Sequence, residues 1–237
     1  PDIRAAVRQA HDVAVREALT VFETEASRGR RGHGGAEVID GDGFVAAAFA
    51  HRTSRAGDPH LHTHVVIANL VHGPDDRWTA LDARPLYHWS KTVGYLYEAE
   101  LRHQLATSLG VEWRAVRRGI ADLAVVPMRV VDEFSTRRHE IEAHMARTGG
   151  DSARAAQIAA YATRRMKDHT ATPESLLDGW RQRAVDLGFD AERVCNQINA
   201  DIDHQRDIGV IHLTPMFERL AGPDGLTRNR STFGRRE

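Results

Sequence analysis

Three histidines, His51, His62 and His64, are the residues of this chain best suited by type and spacing to do chemistry together. His62 and His64 are two apart and lead into the apolar, β-branched run Val65-Val66-Ile67. Positions i and i+2 of a strand face the same way, so both imidazoles leave one face. His51 closes a strand-like run that begins at Gly43, and ten residues separate it from His62. A connection of that length, with an Asp58-Pro59 turn in it, lets two strands lie antiparallel with His51 across from the pair. Three neutral imidazoles converging from two strands can hold a divalent cation and leave coordination positions open. The chain has 14 histidines, so chance neighbours are expected. The same-face pair, the third histidine at a strand end and the intervening turn set this trio apart. His60 reads as a solvated loop residue and Asp58 as a turn residue, not as ligands.

The elements that must position the trio are legible from periodicity. Ile3, Val7, Ala10, Ala14, Leu19 and Phe22 recur at helical spacing, which predicts one amphipathic helix from about Asp2 to Ala26. A Gly/Arg loop follows from Arg28 to Gly35. Strand-like runs come next at Glu37–Ile39, Phe44–His51, Leu61–Val71 and Trp78–Leu81, separated by Asp40-Gly-Asp-Gly and Gly73-Pro-Asp-Asp turns. A long helix is expected over Leu86–Leu109, stopped by Gly110. Short extended pieces lie at Val111–Val116 and Gly119–Leu123. Helices are then expected at 127–147, 151–168, 173–187 and 190–204, with Pro173 in a first turn after Thr172. The fold class is α+β: a central antiparallel sheet carrying the three-histidine site, flanked by helices, with a helical C-terminal part. Residues 1–147 form the sheet-bearing region, 148–220 the helical one, and 221–237 a Gly-, Pro- and Arg-rich linker.

Composition excludes several classes. Hydrophobic residues make up 41% and charged residues 27% of 237, the balance of a domain with a core. No apolar run approaches membrane-spanning length. The one cysteine, Cys195, cannot form an internal disulfide, and nothing calls for an oxidising compartment. Net charge is −1, so any nucleic-acid binding must rest on local basic surface.

The segment from Arg52 to Asn69 resembles the three-histidine motif of conjugative relaxases of the MobF group, with Thr63 between the paired histidines. The likeness continues in order through Arg30–Gly35, Arg77–Asp82, Tyr97–Arg102, Leu109–Trp113, Arg118–Ala121 and Glu133–Glu142. It implies a single-strand DNA transesterase. A tyrosine oxygen attacks a backbone phosphate, leaving a 5′-phosphotyrosyl link and a free 3′-hydroxyl. It implies His51, His62 and His64 as catalytic and metal-binding residues and a divalent ion (Mg, Mn, Zn or Ni) as cofactor. The implied partners are single-stranded DNA at an origin of transfer and a helicase region in the same parent chain; the implied setting is cytoplasmic. In that family the nucleophilic tyrosines and a supporting acidic residue precede the histidines. None of the 50 residues before His51 is tyrosine. The chain is therefore expected to be an internal piece of a longer protein. The alternative order of rolling-circle initiators, with the tyrosine on a later helix, would make Tyr95 or Tyr97 the nucleophile.

Basic clusters that could meet phosphate are Arg30 and Arg31 in the glycine loop, Arg52 and Arg55 beside the histidines, and Arg114, Arg117 and Arg118. Arg28 shares the glycine-loop cluster and Arg137 and Arg138 form a further one, whereas Arg164, Arg165 and Lys167 read as solvated. Trp78 and Trp113 could stack on bases, although a tryptophan in a strand is more often core. Ser54 and Thr53 either bind phosphate or shape the loop. Two other functions fit the same residues: a three-histidine hydrolase that activates water, and a DNA- and metal-binding module without catalysis.

Overall fold

The computed structural model describes residues 2–164 and 172–208, with side chains described to residue 202. The first helix, α1 (Ile3–Ala26), is capped by the Asp2 carboxylate, which accepts from the backbone N–H groups of Arg4 and Ala5. Its buried stripe is small, with Ala10, Ala14, Ala18 and Ala26 at the contact. Small residues let α2 (Ala83–Leu109) lie close against it, and this pair makes the most extensive helix contact in the molecule. Gly110 closes α2 in the left-handed conformation, at φ 62°, as the sequence predicts. Ala10, Leu105, Leu109, Val111 and Ile202 form the core cluster, with Trp113 packed on it.

The strands pair as three antiparallel ribbons rather than as one continuous sheet. They are β1 (Arg28–Arg31) with β2 (Glu37–Asp40), β3 (Ala46–Thr53) with β4 (Pro59–Ile67), and β5 (Val71–His72) with β6 (Trp78–Thr79). The expected Gly/Arg loop is thus half strand. Arg28–Arg31 lacks the apolar alternation that marks a strand, and its extension comes from pairing with β2 across a turn of three positive-φ glycines, 32, 34 and 35. Gly29 must stay glycine, because a Cβ there would lie 2.4 Å from Thr79 Cγ2. The extended pieces after Gly110 bridge at Trp113–Leu123 and Arg117–Ile120, with Arg118 and Gly119 both at positive φ in the tip.

Beyond this the chain is helical: α3 (Met128–Glu133), α4 (Thr136–Thr148), α5 (Ala153–Ala162), α6 (Pro173–Asp186) and α7 (Ala191–Ile208). The single helix expected at 127–147 breaks at Phe134 and Ser135, because the Asp58 carboxylate takes the Thr136 backbone N–H and hydroxyl and so starts α4 afresh. A capping box between Thr172 and Ser175 opens α6. The readings made for Arg165, Lys167 and the tail from Ala221 fall outside the described residues. Among the described residues, no helix is long and apolar enough to cross a membrane.

Candidate metal centre

The β3–β4 register sets the site. His51 pairs directly with His62, and His64 stands across from Phe49. Cross-strand partners share a face, as do residues two apart, so all three imidazoles emerge together. The ring centroids are 5.3 Å apart for His51 and His62, 4.8 Å for His51 and His64, and 4.9 Å for His62 and His64. One nitrogen from each ring falls within 4.8 Å of the others. The grouping suits a divalent cation: three neutral donors of borderline softness, with no carboxylate in the cluster.

Local contacts orient one ligand. His62 Nδ1 lies 3.0 Å from the His60 carbonyl oxygen, so that nitrogen carries the proton and donates it, leaving Nε2 with its lone pair for an ion. The His60 ring stacks on His62 at 4.5 Å and 22°. His60 stays outside the ligand cluster, as the sequence suggests, but it is a stacking platform and not merely a solvated loop residue. Burial holds its pKa below the ordinary value, with the nearby His62 acting in the same direction.

Behind β4, Thr63 points the opposite way. Its Oγ1 lies 2.8 Å from His11 Nε2, and His11 Nδ1 lies 2.9 Å from the Tyr97 hydroxyl. His11 is 2% exposed, and burial lowers its pKa, which favours the neutral ring. Burial pushes the Tyr97 phenol up to about 12. Sequence periodicity did not single out His11, although a histidine on the alanine stripe of α1 was the available signal.

The histidines line a cavity of about 880 Å³, together with Arg55, Arg137, Trp180 and Arg183. The loop between β3 and β4 forms its rim. Ser54 shapes that loop, its Oγ accepting from the backbone N–H groups of Ala56 and Asp58, while Thr53 lines the cavity. Asp58 is more than a turn residue. It is 2% exposed, receives the two bonds from Thr136, and lies 3.4 Å from Arg183 Nη1. Arg183 also donates to the Glu133 carboxylate at 2.8 Å, and the Trp180 indole N–H donates to the Gly57 carbonyl at 2.7 Å. The loop that presents His51 and His62 is thereby fastened to α4 and α6.

The arginines divide. Arg30 donates to Asp82 and to the Gly35 carbonyl, Arg31 to Asp75 and the Arg77 carbonyl, and Arg114 to the carbonyls of Ala124 and Val126. Arg137 ties α4 to the carbonyls of Ala160 and Thr163, and Arg28 pairs with Asp40. Arg55 lies at the cavity, Arg52 is exposed next to His51, and Arg117 and Arg118 are exposed at a hairpin tip. Of the tryptophans, Trp113 joins the core and Trp78 is 59% exposed. No tyrosine lines the cavity among the described residues.

Comparison with known proteins places this geometry. The sequence profile described as TrwC relaxase matches residues 1–187. The multifunctional conjugation protein TraI of Escherichia coli is 33% identical over 190 residues, covering 76% of this chain and 10% of that protein. TraI of Escherichia coli strain K12 is 31% identical over 225 residues, covering 91% of this chain and 12% of its own length. The chain therefore spans about a tenth of these relatives. Among solved structures, the conjugative relaxase TrwC in metal-bound complex with oriT DNA superposes with a TM-score of 0.71 at 33% identity, covering 78% of this chain and 65% of that one. TrwC in complex with mutant oriT DNA gives the same score and identity, with 67% of that chain covered.

Proposed function

The chain belongs to the TrwC relaxase family, and from that membership we propose that its histidine centre serves the nicking and rejoining of one DNA strand at an origin of transfer. The observation that carries this reading is the convergence of His51, His62 and His64 on one face of the β3–β4 ribbon, at the mouth of a cavity edged by arginine. His51, His62 and His64 would hold a divalent ion (Mg²⁺, Mn²⁺, Zn²⁺ or Ni²⁺), which when bound would supply positive charge to offset that of a phosphodiester under attack.

The protein's own groups do the rest. Neutral imidazoles leave the cation its full charge, and the His62–His60 bond fixes which nitrogen faces it. Arg55, inside the cavity, and Arg52, beside His51, are the arginines we assign to the sugar-phosphate chain nearest the reaction. Arg117 and Arg118 extend that contact from their hairpin. Arg30, Arg31 and Arg114 contribute only the N–H groups that their internal bonds leave over. In the reaction, a tyrosine hydroxyl gives up its proton as its oxygen bonds to phosphorus, the P–O3′ bond breaks, the 3′-oxygen takes up a proton to leave as a hydroxyl, and the 5′-phosphate stays on the tyrosine until the strand is rejoined. We read residues 1–147 as the palm-like region, 148–220 as a helical part that closes over DNA, and 221–237 as a linker toward a helicase region. A cytoplasmic setting suits such a DNA-processing protein.

The test is an anomalous scattering experiment on crystals grown with single-stranded oligonucleotide and Mn²⁺. The expected result is a Mn²⁺ peak between the three imidazoles, with a phosphate oxygen beside it. A peak elsewhere, or none, removes the basis for the assignment.

A further inference from the structure

The hydrogen-bonded chain Tyr97–His11–Thr63 has no part in holding the ion or the DNA, yet it ends on the residue between two of the proposed ligands. Thr63 sits between His62 and His64 in β4, and its side chain leaves the opposite face. His11 reaches it from α1 at 2.8 Å and reaches Tyr97 on α2 at 2.9 Å, with the two aromatic rings edge to face at 5.7 Å. One buried imidazole thus joins three elements, α1, α2 and β4, through both of its nitrogens. A buried ring with both nitrogens satisfied is held in one orientation, and it fixes whatever it bonds to.

Between its loop end, which Asp58, Trp180 and Arg183 fasten, and this bond, the ribbon has little packing behind it. Every residue of β3 from Ala46 to Arg52 is exposed, Phe49 among them at 52%. Contact between α1 and β4 is small. Packing alone therefore sets the height and tilt of β4 poorly. Directional bonds at Thr63 set them better. Movement of Thr63 carries His62 and His64 with it, because they are its immediate neighbours along a rigid strand.

We propose that His11 and Thr63 are positioning residues of the histidine centre, acting from behind the strand to fix the spacing of His62 and His64. This rests on the reading of His51, His62 and His64 as metal ligands. Either proton arrangement satisfies the chain. Tyr97 can donate to Nδ1 while Nε2–H donates to Thr63, or Thr63 can donate to Nε2 while Nδ1–H donates to Tyr97. Both keep all three groups neutral, so the device is geometric and carries no charge to the ion.

The experiment is isothermal titration of the 237-residue chain with Mn²⁺, alongside Thr63→Val, Thr63→Ser and Tyr97→Phe. Valine keeps the β-branched shape and the strand but removes the bond to His11. Thr63→Val is expected to weaken Mn²⁺ binding on the order of tenfold, with an unchanged far-ultraviolet circular dichroism spectrum in the metal-free state. Thr63→Ser, which keeps the hydroxyl, is expected to bind as the parent does. Tyr97→Phe frees the far end of the chain and is expected to weaken binding less. The visible spectrum of bound Co²⁺ supplies a second readout, expected to change in Thr63→Val and not in Thr63→Ser. Equal Mn²⁺ affinity and equal Co²⁺ spectra in parent and Thr63→Val overturn the positioning role alone. Failure of the parent to bind Mn²⁺ overturns the ligand assignment and this proposal with it.

Discussion

His51 and His62 are direct cross-strand partners, and their rings meet at 5.3 Å on the face that also carries His64. The register of one ribbon thus assembles the centre. A slip by one residue in β3 would send His51 to the face where Thr63 meets His11. The register shift between His51 and Thr53 begins just after this pair, so the irregular loop starts only once the histidines are aligned.

His51→Ala and His62→Ala should each lower Mn²⁺ affinity by tenfold or more, on the order seen when a metal site loses a ligand-shell contact. Neither should cost much stability, within about 1 kcal/mol, because neither ring is buried in the core. Calorimetric metal titration and urea unfolding, run on the same samples, check both halves. Equal losses of folding and metal affinity would mean that the rings serve packing.

Asp58→Ala should loosen the rim of the cavity. The carboxylate is buried and holds Thr136 and Arg183, so its removal leaves the Thr136 N–H and hydroxyl without their acceptor and Arg183 with Glu133 alone. We expect a loss of about 1–3 kcal/mol in denaturant unfolding, together with faster amide hydrogen exchange at residues 54–57. Protection unchanged at those amides would show that the loop stands without its anchor.

His72 joins two carboxylates, Asp42 at 2.9 Å from Nδ1 and Asp76 at 2.9 Å from Nε2. Both ring nitrogens must then donate, so the imidazolium is favoured and the His72 pKa is raised, chiefly by the bonds to Asp42 and Asp76. Asp42 is lowered by the same contact with His72. A raised histidine contributes stability in full below its ordinary 6.5 and loses it as pH climbs through the folded value. A lowered aspartate contributes in full above its ordinary 3.8 and loses it as pH falls through the folded value. The contact is therefore complete between those two ordinary values. Nuclear magnetic resonance titration should place the His72 midpoint above 6.5. The parent should also lose more thermal stability than His72→Gln as pH climbs above 6.5. A midpoint at or below the ordinary value would show that the two carboxylates do not hold the ring.

The four tyrosines should not form a covalent DNA adduct at this centre. Tyr97 is spent on His11 behind β4, with its phenol held near 12, and Tyr87, Tyr95 and Tyr161 do not line the cavity. Labelled single-stranded oligonucleotide incubated with this chain and Mn²⁺ should give no adduct on a denaturing gel. An adduct abolished by Tyr95→Phe or Tyr97→Phe would instead put the nucleophile on α2.

By itself the sequence determined which residues share a face. Strand and helix periods are local, so the spacing of His62 and His64, the turn at Asp58-Pro59 and the stop at Gly110 follow from neighbouring residues alone. The α+β class and the grouping of the three histidines were legible for that reason. Tertiary structure decided what depends on partners distant in the chain. Arg28–Arg31 became a strand only because β2 pairs with it, and the strands separated into three ribbons. Asp58 became an anchor because Thr136 and Arg183, 78 and 125 residues away, converge on it. Arg30, Arg31 and Arg114 turned inward to carbonyls and carboxylates that charge patterning cannot foresee. His11 acquired its place behind the three histidines because α1, α2 and β4 meet there, and no local pattern encodes a meeting of residues 11, 63 and 97.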